Sequence, residues 1–491
     1  MKKNVLALSI TAALVGFAGG AQATAGAASD LALSPGGVGH MLLVPYYSAQ
    51  GGNVSMIDIT NTDTANGKAV KVRFRGASNS DDVFDFQVFL SPGDVWTASV
   101  SQGADGRAQL NTSDNSCTKP NKATLNATPF VTGRLDSTLS VTALANQTRE
   151  GYIEIFNMAD IPSAATGLFT AIKHVSSVAP CAGTAWSALD ADSVASLIPG
   201  DLTNPTTGLM ANWIILNSTD AGAWSGQATA VYAYSTLGVP STGNLVYWPQ
   251  TGTSVGAAAS SWTADPLLSR NTITAAYYDL PDMSTPYVSS AITPSQQAAK
   301  LSASIATANV INEYLTVTSF GASTDWTLSM PTRRYAVALT YGATAAAVYN
   351  SDNASFFAPT NTTVIARQIC VPSLSYSIWD QEENVLNQSN GVVVSPSSPI
   401  PGVPFCGEAG VMSVNSSAAA ASGTLKATVA RSELSPVITN AIYTQGWIKI
   451  LTPGATNAGM PVLGAAFLKA SSANGRYGVT WDHRNTRYAP Q

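Results

Sequence analysis

Short runs of β-branched and aromatic residues recur along almost the whole chain and favour a fold built from strands. Turn residues such as SAQGG, NTDTANG and SPG separate these runs at a spacing of roughly ten residues. Early runs are HMLLVPYY, NVSMIDIT, KAVKVRFR, DVFDFQVFL and DVWTASV, and later ones include DWTLSM, TTVIARQI, GTLKATV and GWIKIL. The pattern predicts an all-β protein made of antiparallel β-sandwiches with one or two short helices.

Two segments carry helix signals. Residues 293–314, TPSQQAAKLSASIATANVINEY, start with Thr-Pro and continue with apolar residues at helical spacing, which predicts one helix. Residues 185–198, AWSALDADSVASLI, are the candidate for a second.

The N-terminus has the three parts of a secretory signal peptide. Lys2 and Lys3 precede a short apolar run, and AQA supplies small residues for cleavage after Ala23. We therefore predict a signal peptide over residues 1–23 and export to the bacterial outer surface. No later run reaches the ~18 apolar residues that a membrane-spanning helix needs.

The remaining chain is long enough for more than one domain. A stretch rich in Gly, Ser and Ala at 251–262, TGTSVGAAASSW, is the best candidate for a linker. It predicts an N-terminal β domain over 24–250 and a C-terminal β domain over 263–491.

Four cysteines follow the signal peptide, and none is part of a C-x-x-C zinc motif. An exported chain with an even number of cysteines favours two disulfide bonds, for which three pairings exist. We favour the local pairing, which joins Cys117 to Cys181 and Cys370 to Cys406. Each bond would close a long loop and stabilise the fold by about 4 kcal/mol.

Charge is scarce. Charged residues make up 11% of the sequence, against ~25% in ordinary globular domains. Ser, Thr, Asn, Ala and Gly take their place, and the net charge is only −5. Copies of such a protein repel one another weakly, which favours dense packing side by side. With 24 basic and 29 acidic residues, the chain offers no positive field for nucleic acid.

The segment KVRFRGASNSDDVFDF, residues 71–86, concentrates charge in this otherwise neutral chain. Its alternation predicts a hairpin with the turn at GASNSDD and with three aromatic residues in the core, Phe74, Phe84 and Phe86. Arg73 and Asp85 then lie side by side on the outer face, where such a pair contributes about 0.2–1 kcal/mol. The charges are thus assigned to strand register rather than to chemistry.

Catalytic patterns are weak in the sequence. The three histidines, His40, His174 and His483, do not form a metal-binding pair, and the G-x-S-x-G string at 252–256, GTSVG, lies in the stretch considered as a linker. The glutamates are mostly isolated, and nothing marks two of them as the carboxylate pair of a glycosidase. We therefore predict that the chain is not an enzyme.

Aspartates in turns have two interpretations. The ordinary one is that their side chains bond to nearby backbone amides. The functional one is structural Ca²⁺, which takes oxygens from loops. The candidate ligands are Asp63, Asp94, Asp81 and Asp82. The strands next to these turns are predicted at 53–60, 68–75, 83–90 and 95–100. If they form a meander, Asp63 and Asp94 lie at one end and Asp81 and Asp82 at the other.

Several segments resemble a group of exported proteobacterial cell-surface proteins that includes surface-layer (S-layer) subunits. They are LLVPYYSAQGGNVSMIDITNTD, KAVKVRFRGASNSDDVFDFQVFLSPGDVW, TDWTLSMPTRRY and WDQEEN. The resemblance implies a secreted structural protein that assembles with itself into a two-dimensional lattice, often with divalent cations. It brings no catalytic residues.

The alternative function is a cell-surface adhesin or carbohydrate-binding protein. Outer-membrane glycans are then expected partners, in addition to other copies of the chain. Tryptophan is the residue type on which sugar rings stack, and the candidates are Trp96, Trp213, Trp248 and Trp447. Most of them sit within strand patterns, which favours positions in the core.

Overall fold

The computed structural model describes residues 26–191, 201–220, 222–250, 254–387, 403–414, 423–429, 431–434, 444–472 and 475–487. The predicted signal peptide over 1–23 lies outside the described residues and stays a prediction. Within the described ranges the chain is mostly β, arranged as several antiparallel sheets, which confirms the predicted fold class.

The described residues before position 250 form two sheets. Their strands are β1 (Asp30–Leu33), β2 (Met41–Ser48), β3 (Asn53–Asn61), β4 (Gly67–Gly76), β5 (Asp82–Leu90), β6 (Val95–Gln102), β7 (Ala108–Asn111), β8 (Cys117–Lys119), β9 (Glu150–Ile161), β10 (Leu209–Asn217), β11 (Gly222–Gln227), β12 (Thr229–Thr236) and β13 (Val239–Pro240). Sheet 1 has the order β1-β12-β2-β9-β4-β5-β8, with β13 added to β12, and sheet 2 has the order β11-β10-β3-β6-β7.

The later strands form two further large sheets. They are β14 (Ala306–Leu315), β15 (Ser323–Ser329), β16 (Val337–Thr340), β17 (Ala346–Tyr349), β18 (Thr363–Ile365), β19 (Gln368–Leu374), β20 (Tyr376–Asp380), β21 (Val385–Asn387), β22 (Val403–Cys406), β23 (Ala409–Val414), β24 (Arg431–Leu434), β25 (Gln445–Leu451), β26 (Met460–Pro461), β27 (Ala465–Ser472), β28 (Gly475–Asp482) and β29 (Arg484–Arg487). Sheet 3 is β21-β20-β25-β14-β26, with β29 also on β14, and sheet 4 is β24-β23-β15-β27-β28. Two small sheets, β16-β17 and β18-β19-β22, complete the set.

Short helices connect the strands and are more numerous than the one or two expected. The α-helices in the described ranges are α1 (Lys122–Ala127), α2 (Val141–Gln147), α3 (Leu168–Ile172), α4 (Thr184–Ala188), α5 (Pro266–Ser269) and α6 (Pro294–Ile305). Short 3₁₀-helices lie at Gly256–Ser261, Tyr277–Asp279, Thr318–Phe320, Arg333–Tyr335 and Ser351–Asn353.

The helix predicted over 293–314 occupies only the first half of that segment. A capping box formed by Thr293 and Gln296 starts α6, and the chain turns into β14 at Ala306. The strand half contains β-branched residues whose χ1 freedom a helix restricts, and pairing with β25 supplies its backbone bonds. The second candidate, 185–198, begins within α4, and residues 192–198 lie outside the described residues.

Each pair of large sheets encloses a core. Between sheets 1 and 2 lie the buried side chains of Val70, Val72, Phe86, Ile57, Ile59, Trp96 and Trp213, together with the predicted core residues Phe74 and Phe84. Between sheets 3 and 4 lie Val310, Trp326, Leu328, Ile378, Met412, Ile448 and Ile450. The fold is therefore two β-sandwiches.

The two sandwiches share buried surface. Val411 of β23 and Phe467 of β27 belong to the same cluster as the core between sheets 1 and 2. Part of the predicted linker, Gly256–Ser261, is a 3₁₀-helix, and residues 251–253 lie outside the described residues. The division of the chain into domains at 251–262 stays a prediction.

Both predicted disulfide bonds are present. Cys117 is bonded to Cys181 and Cys370 to Cys406, with sequence separations of 64 and 36 residues. Among the residues that the structure describes, no helix is long and apolar enough to cross a membrane.

The strand predicted at GTLKATV (423–429) is not among the strands of the described ranges. Leu425, Ala427 and Val429 are buried, as alternation predicts. The backbone N–H groups between them donate instead to buried carboxylates: Thr424 and Leu425 to Asp325, and Thr428 and Val429 to Glu150. The side chains of Asp325 and Glu150 thus accept hydrogen bonds that a neighbouring strand would otherwise accept.

The run TTVIARQI is also not a single strand. It forms the hairpin β18–β19, because Ala366 and Arg367 adopt positive φ values of 47° and 64° and turn the chain.

The expected meander of the first four long strands is wrong. β4 pairs with β5 in sheet 1, but β3 pairs with β6 in sheet 2. The connections at 62–66 and 91–94 therefore pass from one sheet to the other. The strands still alternate in direction, so Asp63 and Asp94 lie at the same end of the sandwich. At that end the backbone N–H of Gly93 donates to the carbonyl of Asp63 at 3.1 Å.

Candidate functional site

The charged strand β4 is buried along its whole length, and its charges lie on the face of sheet 1 that is turned away from sheet 2. Arg73 lies opposite Asp85 of β5 in the predicted register, and opposite Glu154 of β9 on its other side. The predicted outer face is nevertheless closed to solvent. Later parts of the chain cover it and accept hydrogen bonds from its cations through Gln250, Tyr278 and Pro281.

Each cation of β4 has a carboxylate partner. The pairs are Lys68 with Asp160 at 2.8 Å, Lys71 with Asp85, Arg73 with Asp82 at 2.7 Å, and Arg75 with Glu154 at 3.3 Å. Burial lowers the pKa of Lys71, and the charge of Asp85 opposes that shift. Burial also disfavours the charge on Arg73, but Asp82 and its neighbours outweigh it and raise the pKa of that guanidinium. Each partner thus offsets part of the cost of burying the other's charge.

Arg334 extends this network to the second half of the chain. Its Nη1 lies 2.8 Å from Asp81 Oδ1, and its Nε lies 2.8 Å from Asp265 Oδ2. Nη1 also donates to the backbone carbonyl of Asn79 at 2.8 Å, and the side chain is 4% exposed. One guanidinium thus holds the β4–β5 turn against the segment after the predicted linker.

Arg333 makes a second link at the same place. Its Nη2 lies 2.8 Å from Glu408 Oε2, and its Nη1 donates to the carbonyls of Ile369 and Gly407 at 2.6 Å each. The backbone N–H of Glu408 donates in turn to the carbonyl of Ala77 at 2.7 Å. The turn at 77–81 is therefore the point where buried charges tie the two sandwiches together.

The four predicted calcium ligands are engaged within the chain. Asp81 pairs with Arg334 and accepts from Tyr341, and Asp82 pairs with Arg73. Burial raises the pKa of Asp81, although Arg334 opposes the shift.

The other two candidates lie at the opposite end of the sandwich. Asp63 accepts from the backbone of Ala65 and Asn66 and pairs with Lys68 at 3.2 Å. Burial opposes ionisation of Asp63, yet these bonds lower its pKa to about 2. Asp94 accepts from the backbone N–H of Ser91 at 3.1 Å.

Three of the four aspartates have cations of the chain itself as partners. Ca²⁺ takes six to eight oxygen ligands, whereas two of these carboxylates face arginines and a third faces a lysine. Over the described ranges, no group of three His, Cys, Asp or Glu side chains could hold a metal ion. A requirement for calcium stays a prediction.

A cavity of about 520 Å³ lies beside the charged hairpin, and its lining includes Asp82, Asp85, Asp279 and Arg134. Burial, followed by the charge of Asp85, raises the pKa of Asp82 to about 7. Burial acts on Asp85 as well, but the charges of Lys71 and Arg73 lower its pKa. Arg134 lies 2.6 Å from Asp279. The carboxylates that line the cavity are therefore occupied by cations of the chain itself.

The three histidines differ in burial and in their charged neighbours. Burial, with the charge of Lys68, lowers the pKa of His40 to about 3, and burial lowers that of His483 to about 4. His174 is partly exposed and lies 3.5 Å from Asp94.

Three of the four tryptophans considered for sugar stacking belong to the interior. Trp96, Trp213 and Trp248 are at most 2% exposed. Trp447 lies at the surface of sheet 3 instead, where its ring stacks on that of Trp379.

Sequence reasoning did not assign a role to Arg333, Arg334, Asp265 or Glu408. The available signal was the adjacent arginine pair in MPTRRY, which is unusual in a chain with so little charge. Comparison of the chain with protein-family models, curated proteins and solved structures finds no match.

Proposed function

We propose that the mature chain is a structural subunit of an extracellular surface layer and assembles with its own copies into a two-dimensional lattice on the bacterial outer surface. The observation that carries the proposal is the outer face of sheet 2. It is a broad, nearly uncharged β surface on a chain with few charged residues.

Burial removes part of the charge from the surface. At least seven of the 24 Lys and Arg residues and at least eleven of the 29 Asp and Glu residues are buried. These charges do not face a neighbouring copy. Weak mutual repulsion is the property that lets identical subunits pack closely.

The outer face of sheet 2 combines apolar and hydroxyl side chains. Met56 lies opposite Ile214 in register, and these two side chains are 41% and 38% exposed, as is Leu216 at 38%. The neighbouring outward positions on the described strands are Val54, Thr60, Val95, Thr97, Ser99, Ser101, Met210 and Asn212. Asp58 is the one charged residue that these strands present on the face, and it accepts from Asn212. A second copy of the chain, equally short of charge, is the partner that suits this surface.

The proposal includes no catalytic activity. The carboxylates beside the 520 Å³ cavity are paired with Lys71, Arg73 and Arg134. Free catalytic carboxylates need an unengaged oxygen that can reach a substrate.

The test is assembly of the purified mature chain in calcium-containing buffer, followed by negative-stain electron microscopy. We expect ordered sheets from the wild type. Ile214→Asp and Met56→Asp each place a carboxylate in the apolar contact and should leave the protein monomeric, with an unchanged circular dichroism spectrum.

The matched control is Val141→Asp, which adds the same charge at a position on α2 that is 83% exposed. It should assemble like the wild type. If all three variants form lattices equally well, sheet 2 is not the lattice contact. If the wild-type chain never assembles, the proposal of a lattice is wrong.

A further inference from the structure

An open cleft of about 580 Å³ lies at the end of β14, where sheets 3 and 4 come together. Trp447 of β25 contributes an indole ring from sheet 3, and Trp481 of β28 contributes one from sheet 4. Trp481 is 39% exposed. The cleft is therefore aromatic on surfaces that come from two different sheets.

The ring of Trp447 is fixed in orientation by a second tryptophan. Trp379 of β20 lies opposite Trp447 in register, and the two rings are parallel within 2° at a centroid distance of 3.7 Å. The neighbour of Trp447 on the other side is Glu313 of β14. Among the described residues that line the cleft are Trp447 and Glu313 but not Trp379. The cleft thus lies on the side of Trp447 that faces Glu313, and Trp379 supports the ring from behind.

Polar side chains surround the aromatic surface. Glu313 and Arg484 lie 3.5 Å apart, and their side chains are 51% and 71% exposed. Gln381 and Gln445 add amide groups to the lining. A carboxylate, a guanidinium and two amides offer both donors and acceptors at the rim of a flat apolar surface.

Strand addition by a peptide does not suit this place. β14 is paired with β25 through Leu315, and on its other side the indole N–H of Trp326 donates to the Glu313 carbonyl at 3.1 Å. The backbone of β14 therefore has no free edge beside the cleft. The charges of Glu313 and Arg484 offset each other. Asp380 is the third charged residue of the lining, but it is 4% exposed and its oxygens accept from Glu382 and Asn384, so the cleft does not favour a strongly charged ligand either.

We propose that this cleft binds a neutral pyranose unit of a polysaccharide. One face of a pyranose ring presents C–H groups that stack on an indole, and its equatorial hydroxyls point outward toward donors and acceptors at the rim. The cleft is large enough for at least one such ring. It gives the chain a means of holding surface glycans that does not depend on the lattice.

The experiment is a glycan microarray that carries neutral bacterial and eukaryotic polysaccharides, probed with the labelled mature chain. The best-bound glycan is then titrated against the protein and followed by tryptophan emission. The Ile214→Asp variant serves as the background, so that the state of the lattice does not affect the result.

We expect binding that Trp447→Ala weakens at least tenfold. Glu313→Ala should weaken it several-fold and, because Glu313 is exposed, leave folding intact. The matched control is Phe320→Ala, which removes another exposed aromatic ring (58% exposed) and should leave affinity unchanged. An array without hits, or binding that survives both Trp447→Ala and Glu313→Ala, would overturn the proposal.

Discussion

Arg334 should be one of the most sensitive single positions for stability, because its side chain joins two buried carboxylates that lie far apart in sequence. Arg334→Met keeps the length and the apolar part of the side chain but removes the charge. Asp81 and Asp265, each 2.8 Å from the guanidinium, then lose this cation, and the carbonyl of Asn79 loses a donor.

The size of the effect follows from burial. The side chain of Arg334 is 4% exposed, and those of its partners are 3% and 2% exposed. Removing one member of such a buried group leaves uncompensated charge and costs about 3–5 kcal/mol. Urea unfolding followed by tryptophan emission measures this loss as a lower midpoint at unchanged slope.

The control is Arg107→Met, which breaks a pair with Asp105 whose side chains are 31% and 43% exposed, together with a bond to the Phe130 carbonyl, and should move the midpoint much less. The triple variant Arg334→Met, Asp81→Asn, Asp265→Asn removes the stranded charges and should recover a large part of the loss. If Arg334→Met unfolds at the same urea concentration as Arg107→Met, or if the triple variant is no more stable than the single one, the ion-pair explanation is wrong.

Three further predictions concern the pH dependence of stability, the disulfide bond between Cys117 and Cys181, and calcium. Burial, opposed by bonds from Thr428 and Val429, raises the pKa of Glu150 from 4.5 to about 7. The native state thus keeps a proton that the unfolded chain releases, and stability relative to Glu150→Gln should fall by roughly 3 kcal/mol between pH 4.5 and 7; parallel pH profiles would contradict this. Replacing Cys117 and Cys181 by serine should cost about 4 kcal/mol, read from thermal or urea unfolding, whereas no change would refute the loop-closure argument. Washing cells with a chelator should release the protein, and added calcium should restore the layer. If reassembly does not depend on calcium, the proposed role of the metal is wrong.

The sequence predicts the β class and the charged hairpin well because both depend on local alternation. Period-2 spacing places Phe74 and Phe84 on one face and Arg73 and Asp85 on the other, and the structure has that register. Alternation does not reveal whether a face is covered. The cover over Arg73 comes from Tyr278 and Pro281, some two hundred residues later.

The features that the sequence did not predict depend on contacts between residues that are distant in sequence. Leu425 and Val429 alternate as in a strand, but the partners of the backbone between them are carboxylates from distant strands. The roles of Arg333 and Arg334 depend on where Glu408 and Asp265 arrive in space. Long-range contacts of this kind are not encoded in local spacing.

The sequence identifies Trp447 as a candidate for sugar stacking, but it does not show that the ring lies beside a cleft. A tryptophan in a strand pattern is usually a core residue, and Trp96, Trp213 and Trp248 follow that rule. Trp447 differs because Ile448 and Ile450, its neighbours on the opposite face, supply the core instead.

Cryo-electron tomography of cells that produce this protein in abundance shows directly whether the chain forms a surface lattice. We expect a periodic layer outside the outer membrane, present with the wild-type chain and lost in cells whose only copy carries Ile214→Asp. A bare outer membrane on cells that export the wild-type chain in quantity would contradict it.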